Sequence, residues 1–184
     1  FQPGVDLEHH SVSHSGYTLT FDALNIAGMG HDGSLFWDRS DGFGITGSGW
    51  EGDEIELPEV LRLSFGETLY LESLVVTDFF VEGTGPSPER GFYSLDGGSI
   101  WHEFQADGLH DNGQLTVLVN GTADSVMLTS PGRELGPPRI RHEFSLAGID
   151  VHRPPAAGPV VPEPGTALLY ALSVCSVGWR IRVA

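Results

Sequence analysis

Five carboxylates crowd into nine residues, Glu51-Gly52-Asp53-Glu54-Ile55-Glu56-Leu57-Pro58-Glu59, directly ahead of an alternating apolar run. Hard oxygen donors gathered on one loop are what Ca²⁺ requires, since it takes about six to eight oxygens at ~2.3–2.6 Å. Asp53, Glu54 and Glu56 would supply them, with Asp41 or a carbonyl from another loop. The bland alternative is a solvated acidic loop whose charge keeps an edge strand from pairing. EF-hand spacing is absent. Trp50, on the glycine loop Gly47-Ser48-Gly49, stands beside Glu51 and Asp53. A flat indole next to carboxylates suits a sugar ring, which offers an apolar face to the ring and hydroxyls to the acids. Trp50 and Glu51 are therefore the candidate carbohydrate contacts, with core packing as the competing role for the indole. For Trp37 and Trp101 core packing is the expected role.

Catalytic chemistry finds less support. There is no Gly-x-Ser-x-Gly and no His-Glu-x-x-His among the eight histidines, and His9, His10 and His14 sit together near the start of the chain as surface groups. Paired carboxylates are plentiful, but a glycosidase pair is defined by its separation across a cleft. Asn120-Gly121-Thr122 fits an N-glycosylation acceptor. A non-enzymatic protein is expected, with a carbohydrate-binding module and then a glycan or ester hydrolase as the alternatives.

These residues need a frame. The chain has 184 residues, with 25 acidic against 9 basic side chains and a formal charge of −16. All the basic residues are arginines. Such a surface repels phosphate backbones and argues against nucleic-acid binding. It suits a protein that must stay soluble outside the cell. Twenty-five glycines and 12 prolines indicate short strands joined by turns. The single cysteine, Cys175, excludes a disulfide within the chain.

Alternation places strands at Tyr17–Phe21, Val60–Phe65 and Arg139–Leu146, the last followed by Ile149–Val151. Ser34–Trp37 is another candidate, Leu69–Phe80 is an apolar-rich strand or strand pair, and Gln114–Val119 and Asp124–Thr129 flank a third candidate hairpin. Gly66-Glu67-Thr68 reads as a hairpin turn between two of them, Asp96-Gly97 as a bend within Gly91–Trp101, and Asn120-Gly121 as a third hairpin loop. Residues Phe1–Ser15 read as a loose entry and Asp38–Gly52 as a glycine-rich loop. Roughly nine short strands predict an all-β fold, an antiparallel β-sandwich of jelly-roll type. The body covers residues 16–153, a proline-rich linker 154–160, and a distinct terminal segment 161–184.

That terminal segment is the most specific signal in the sequence. Val161-Pro162-Glu163-Pro164-Gly165 cannot continue a helix or a ladder. The nearly uncharged run Thr166–Trp179 follows, a short hydrophobic helix by expectation, and Arg180 and Arg182 close it with positive charge. The order of a stiff break, a greasy helix and a cationic end resembles the PEP-CTERM sorting signal of Gram-negative bacteria. The resemblance implies transient anchoring in the inner membrane, processing by an exosortase, a membrane transpeptidase, and delivery to the cell surface. It also implies an association with exopolysaccharide and the biofilm matrix. Export in turn implies a leader ahead of Phe1. The stretch Gly49–Phe65 followed by Leu69–Leu74 is similar, more loosely, to the central region of many β-sandwich proteins that carry this signal.

Overall fold

The computed structural model describes residues 9–14, 16–25, 33–38, 41–46, 54–57, 59–81, 88–108, 113–131 and 142–154. The chain divides between Pro154 and Pro155 into two compact units, and the second lies wholly outside the described residues. The expected terminal helix falls in that part.

The described residues are all-β and antiparallel. Nine strands run in order β1 (His9–His14), β2 (Tyr17–Asn25), β3 (Ser34–Asp38), β4 (Gly42–Thr46), β5 (Glu59–Thr77), β6 (Arg90–Ser94), β7 (His102–Gln105), β8 (Leu115–Thr129) and β9 (Ser145–His152). The spine is the pair of long strands β5 and β8, in register from Leu61↔Leu128 to Val76↔Leu115. The other edge of β5 is shared. Its first part pairs with β2, Asn25↔Glu59 to Thr20↔Ser64, and its last part with β9, Tyr70↔His152 to Thr77↔Ser145. The sheet therefore branches halfway along β5. One branch carries β2 and β1, the other β9, β4 and β3, while β6 and β7 extend the β8 side.

The branch point is a bulge. Ser64 faces Ser125 and Leu69 faces Ala123, so residues 65–68 of β5 stand opposite Asp124 alone. Extra residues on one strand bend it and sharpen its twist. Gly66, at φ 71°, provides the backbone conformation that a side chain would resist. A second slip follows, where Glu72 stands opposite Val119 and Asn120, and Asn120 takes the left-handed conformation at φ 52°. Asparagine is among the few residues that tolerate it.

Both slips correct the sequence reading. Gly66-Glu67-Thr68 is no hairpin turn, and Asn120-Gly121 is no hairpin loop; each lies inside a continuous strand, of 19 and 15 residues. A glycine or asparagine with positive φ serves a bulge as well as a turn, and only the partner strand decides between them. Asp38–Gly52 is likewise not all loop, because Gly42–Thr46 pairs with β3 as strand β4. The loose entry contains strand β1, paired with β2 from His9↔Asp22 to His14↔Tyr17. Residues 142–144 lie outside any strand and β9 starts at Ser145. The Gly91–Trp101 hairpin is present with a wider loop, Tyr93 pairing with His102.

Alternation decides what is buried. On β5, Leu61, Leu63, Phe65, Leu69, Leu71, Leu74 and Val76 are all inside, joined by Phe21, Ala23, Leu35, Ile45, Val126, Leu128 and Leu146 from the other strands. Phe21 of β2 stacks on Phe43 of β4 with ring centroids 4.3 Å apart, so the two branches meet through their aromatic rings. Phe79, Phe104 and Phe144 form a second aromatic cluster, with centroids 5.3–5.9 Å apart. Buried polar groups tie chain ends together around it. Glu89 accepts the Phe80 N–H on its carboxylate at 2.5 Å and donates its own N–H to the Phe80 carbonyl. His142 accepts the Arg90 N–H on Nδ1 at 3.1 Å.

The loop between β6 and β7 is organised by one carboxylate. Asp96 Oδ1 accepts the N–H groups of Ser99 and Ile100 at 3.0 and 2.9 Å and the Ser94 hydroxyl at 2.8 Å. Hydrogen bonds from Ile100, then Ser94 and Ser99, hold its carboxyl below the ordinary aspartate range. A depressed folded-state value stabilises the loop above the unfolded-state pKa, and that support disappears as pH falls through the folded value. The Ser99 and Ile100 amide resonances are accordingly expected to titrate together, with a midpoint below the usual ~3.9. A midpoint at or above that value would remove the assignment.

Candidate functional site

The bulge that bends β5 also builds a cleft. It has a volume of about 560 Å³ and is lined by Ser64, Gly66, Glu67, Thr68, Asp124 and Ser125. Ser64 and Ser125 are cross-strand partners, which places both hydroxyls on the same face of the sheet. The bulge lifts Glu67 and Thr68 clear of the regular ladder, where both are exposed, while Asp124 stands alone across from them.

Each acidic group has a fixed partner. Thr68 donates its hydroxyl to Asp124 Oδ1 in a short hydrogen bond. Arg153 grips Glu67, with Nη2 2.8 Å from Oε1 and Nε 3.2 Å from both oxygens. The same guanidinium donates to the Gly16 carbonyl at 3.2 Å and lies 4.9 Å from the Tyr17 ring centre. These hydrogen bonds from Arg153, more than its charge, draw the Glu67 carboxyl below its ordinary range, and the Arg153 pKa rises for the reciprocal reason. Both groups are exposed, so the pair fixes geometry more than it stabilises the fold. Just beyond, Tyr70 pairs with His152 in register and their rings lie 4.8 Å apart, while the Tyr70 hydroxyl donates to Asn120 Oδ1 at 3.3 Å.

This surface combines carboxylate acceptors, hydroxyls that both give and accept, one guanidinium and tyrosine rings. It can bind a polar ligand in a fixed orientation.

The residues singled out in the sequence fall elsewhere. Trp50, Glu51 and Asp53 lie outside the described residues, as do Val161, Pro162, Glu163, Pro164, Arg180 and Arg182. Asp41 precedes β4, and its carbonyl accepts the Thr77 hydroxyl. At the far end of β4, the Ile45 N–H donates to the Glu54 carbonyl at 3.3 Å. Asp41 and Glu54 thus flank the same strand, separated by about 13 Å of extended chain. The Glu56 N–H is capped by the Glu59 carboxylate at 3.2 Å, and the Glu59 N–H donates to the Glu56 carbonyl at 2.7 Å. Glu59 itself is buried at 1% exposure, so the acidic stretch ends inside the domain. Among the described residues no group of three or more His, Cys, Asp or Glu side chains is placed to hold a metal ion. Of the tryptophans, Trp37 and Trp101 are half-buried, the latter packed near Gly98 and Met127.

The sequence reading missed Glu67, Thr68, Asp124 and Arg153. Its one available signal was a polar Gly-Glu-Thr step between two runs that share an apolar face, which fits a bulge as well as a turn. Nothing local connects Arg153 to Glu67, 86 residues away. Among the described residues no helix is long and apolar enough to cross a membrane. Compared with protein-family models, curated proteins and solved structures, the chain gives no match.

Proposed function

We propose that this chain is an exported, non-enzymatic protein displayed at the cell surface or in the exopolysaccharide matrix of a biofilm. Residues 161–184 act as its PEP-CTERM signal, holding it transiently in the inner membrane until an exosortase processes it. The observation that carries this reading is the order of the tail, in which Pro162-Glu163-Pro164 precedes the apolar run Thr166–Trp179 and the cationic Arg180 and Arg182. The formal charge of −16 suits a body that must remain dissolved among hydrated polysaccharides.

We read the two branches of the sheet as the layers of a jelly-roll-like sandwich. The ring contact between Phe21 and Phe43 supports that arrangement. Polysaccharide is the partner this reading implies.

The test is mass spectrometry of the C-terminus. With an export leader fused ahead of Phe1, the full chain is expressed in a host with an active exosortase and in the same host without it. The expected result is loss of the terminal segment, with cleavage near Pro162–Pro164, only where the exosortase is present. An intact C-terminus in both hosts overturns the proposal.

A further inference from the structure

We infer that the cleft at the β5 bulge is a subsite for an uncharged, hydroxyl-rich ligand, a neutral saccharide unit. Its chemistry narrows the choice by elimination. No large apolar side chain lines it, so an apolar ligand would gain nothing from entering. Two carboxylates border it, and the nearby guanidiniums of Arg153 and Arg62 are already held by Glu67 and Asp22, on a chain of formal charge −16. Phosphate and uronate ligands are therefore repelled. Two carboxylates, each engaged by another side chain, fall short of the oxygen set that calcium requires. A neutral ligand rich in hydroxyl groups matches the lining, since each hydroxyl can donate to a carboxylate and accept from a serine.

The cleft is also ready for one. Ser64 and Ser125 form its floor, and their hydroxyls have no side-chain or backbone partner among the described residues. Asp124 spends one oxygen on Thr68 and keeps the other free among the described residues. Thr68 and Arg153 hold the two carboxylates in place before any ligand arrives, which spares the ordering cost that otherwise weakens binding. The choice of a polysaccharide as the natural source of such a unit rests on the matrix reading above; the chemistry of the cleft does not.

Affinity electrophoresis of the full chain, in a zwitterionic detergent without a sugar headgroup, tests this. The gels hold neutral glucans, mannans or galactans, with alginate as the uronate control. At least one neutral polysaccharide should retard the protein and alginate should not. Asp124→Asn and Thr68→Val should each weaken retardation at least tenfold, while the exposed Glu72→Gln should leave it unchanged. Circular dichroism of the variants confirms that the sheet is retained. The inference fails if no neutral polysaccharide retards the protein, if alginate retards it equally, or if both cleft variants bind as well as the parent. C-terminal processing is read separately, so failure here leaves the sorting proposal standing, and an unprocessed tail leaves this site standing.

Discussion

Phe144→Ala should lower folding stability by about 3–5 kcal/mol, read as a shift in the urea midpoint at constant slope. Phe144 is fully buried and meets both Phe79 and Phe104 edge-on, with centroids 5.9 and 5.3 Å away. Truncation removes its buried surface, leaves a cavity and breaks two ring contacts at once. Gly91 belongs to the same cluster. A Cβ there would overlap the Phe104 ring and come within 2.9 Å of Phe144 Cε1. Glycine in β6 therefore marks the close approach of its cross-strand partner, Gly91↔Phe104. Gly91→Ala should cost about 1–3 kcal/mol, and less in a Phe104→Leu background where the ring has gone. A Phe144→Ala loss under 1 kcal/mol would show that the three rings are not packed as described.

Gly42→Ala is the second large effect, at about 2–4 kcal/mol, because steric clash and backbone strain combine. Gly42 opens β4 at φ 116°, and an added Cβ would stand 2.5 Å from the Leu146 carbonyl oxygen and 2.9 Å from Ala147 Cα. These are backbone atoms of β9, which cannot rotate away as a side chain can. The pairing of β4 with β9 runs through the adjacent Phe43↔Leu146. Gly66→Ala provides the comparison. Its φ of 71° is also positive, yet an added Cβ meets nothing within 4 Å. Conformational strain alone should cost about 1–2 kcal/mol there. Equal losses at the two sites, by thermal or urea unfolding, would mean that crowding against β9 contributes nothing.

The cleft and the core share a cause. Residues 65–68 pass Asp124 as four against one, and that mismatch bends the strand where β2 leaves its edge and β9 joins it. The same bend lifts Glu67 and Thr68 to the surface. A change that regularised the strand would remove the cleft and disturb the branching together.

Sequence patterning sufficed wherever the physics is local. Leu61–Phe65 alternates strictly enough to fix both its extended backbone and its inward face, whereas in Leu69–Val76 the inward parity changes at the Glu72 slip. Composition, with 25 glycines and 12 prolines, pointed to the all-β class before any pairing was known. The reading of the tail is local in the same sense, since a proline break and an uncharged apolar run are patterns of adjacent residues. Strand pairing is different, because it depends on residues far apart in the chain. Gly66 and Asn120 announce positive φ but not whether the chain turns back or bulges onward, and β5 and β8 settle that only by running beside each other. His9–His14 carries little apolar pattern, and Gly42–Thr46 shows only Phe43 and Ile45 among glycines; both are strands because they pair along β2 and β3. The cleft is the clearest case. Glu67, Asp124 and Arg153 are unremarkable polar residues in the sequence, and only the tertiary structure converts them into one surface.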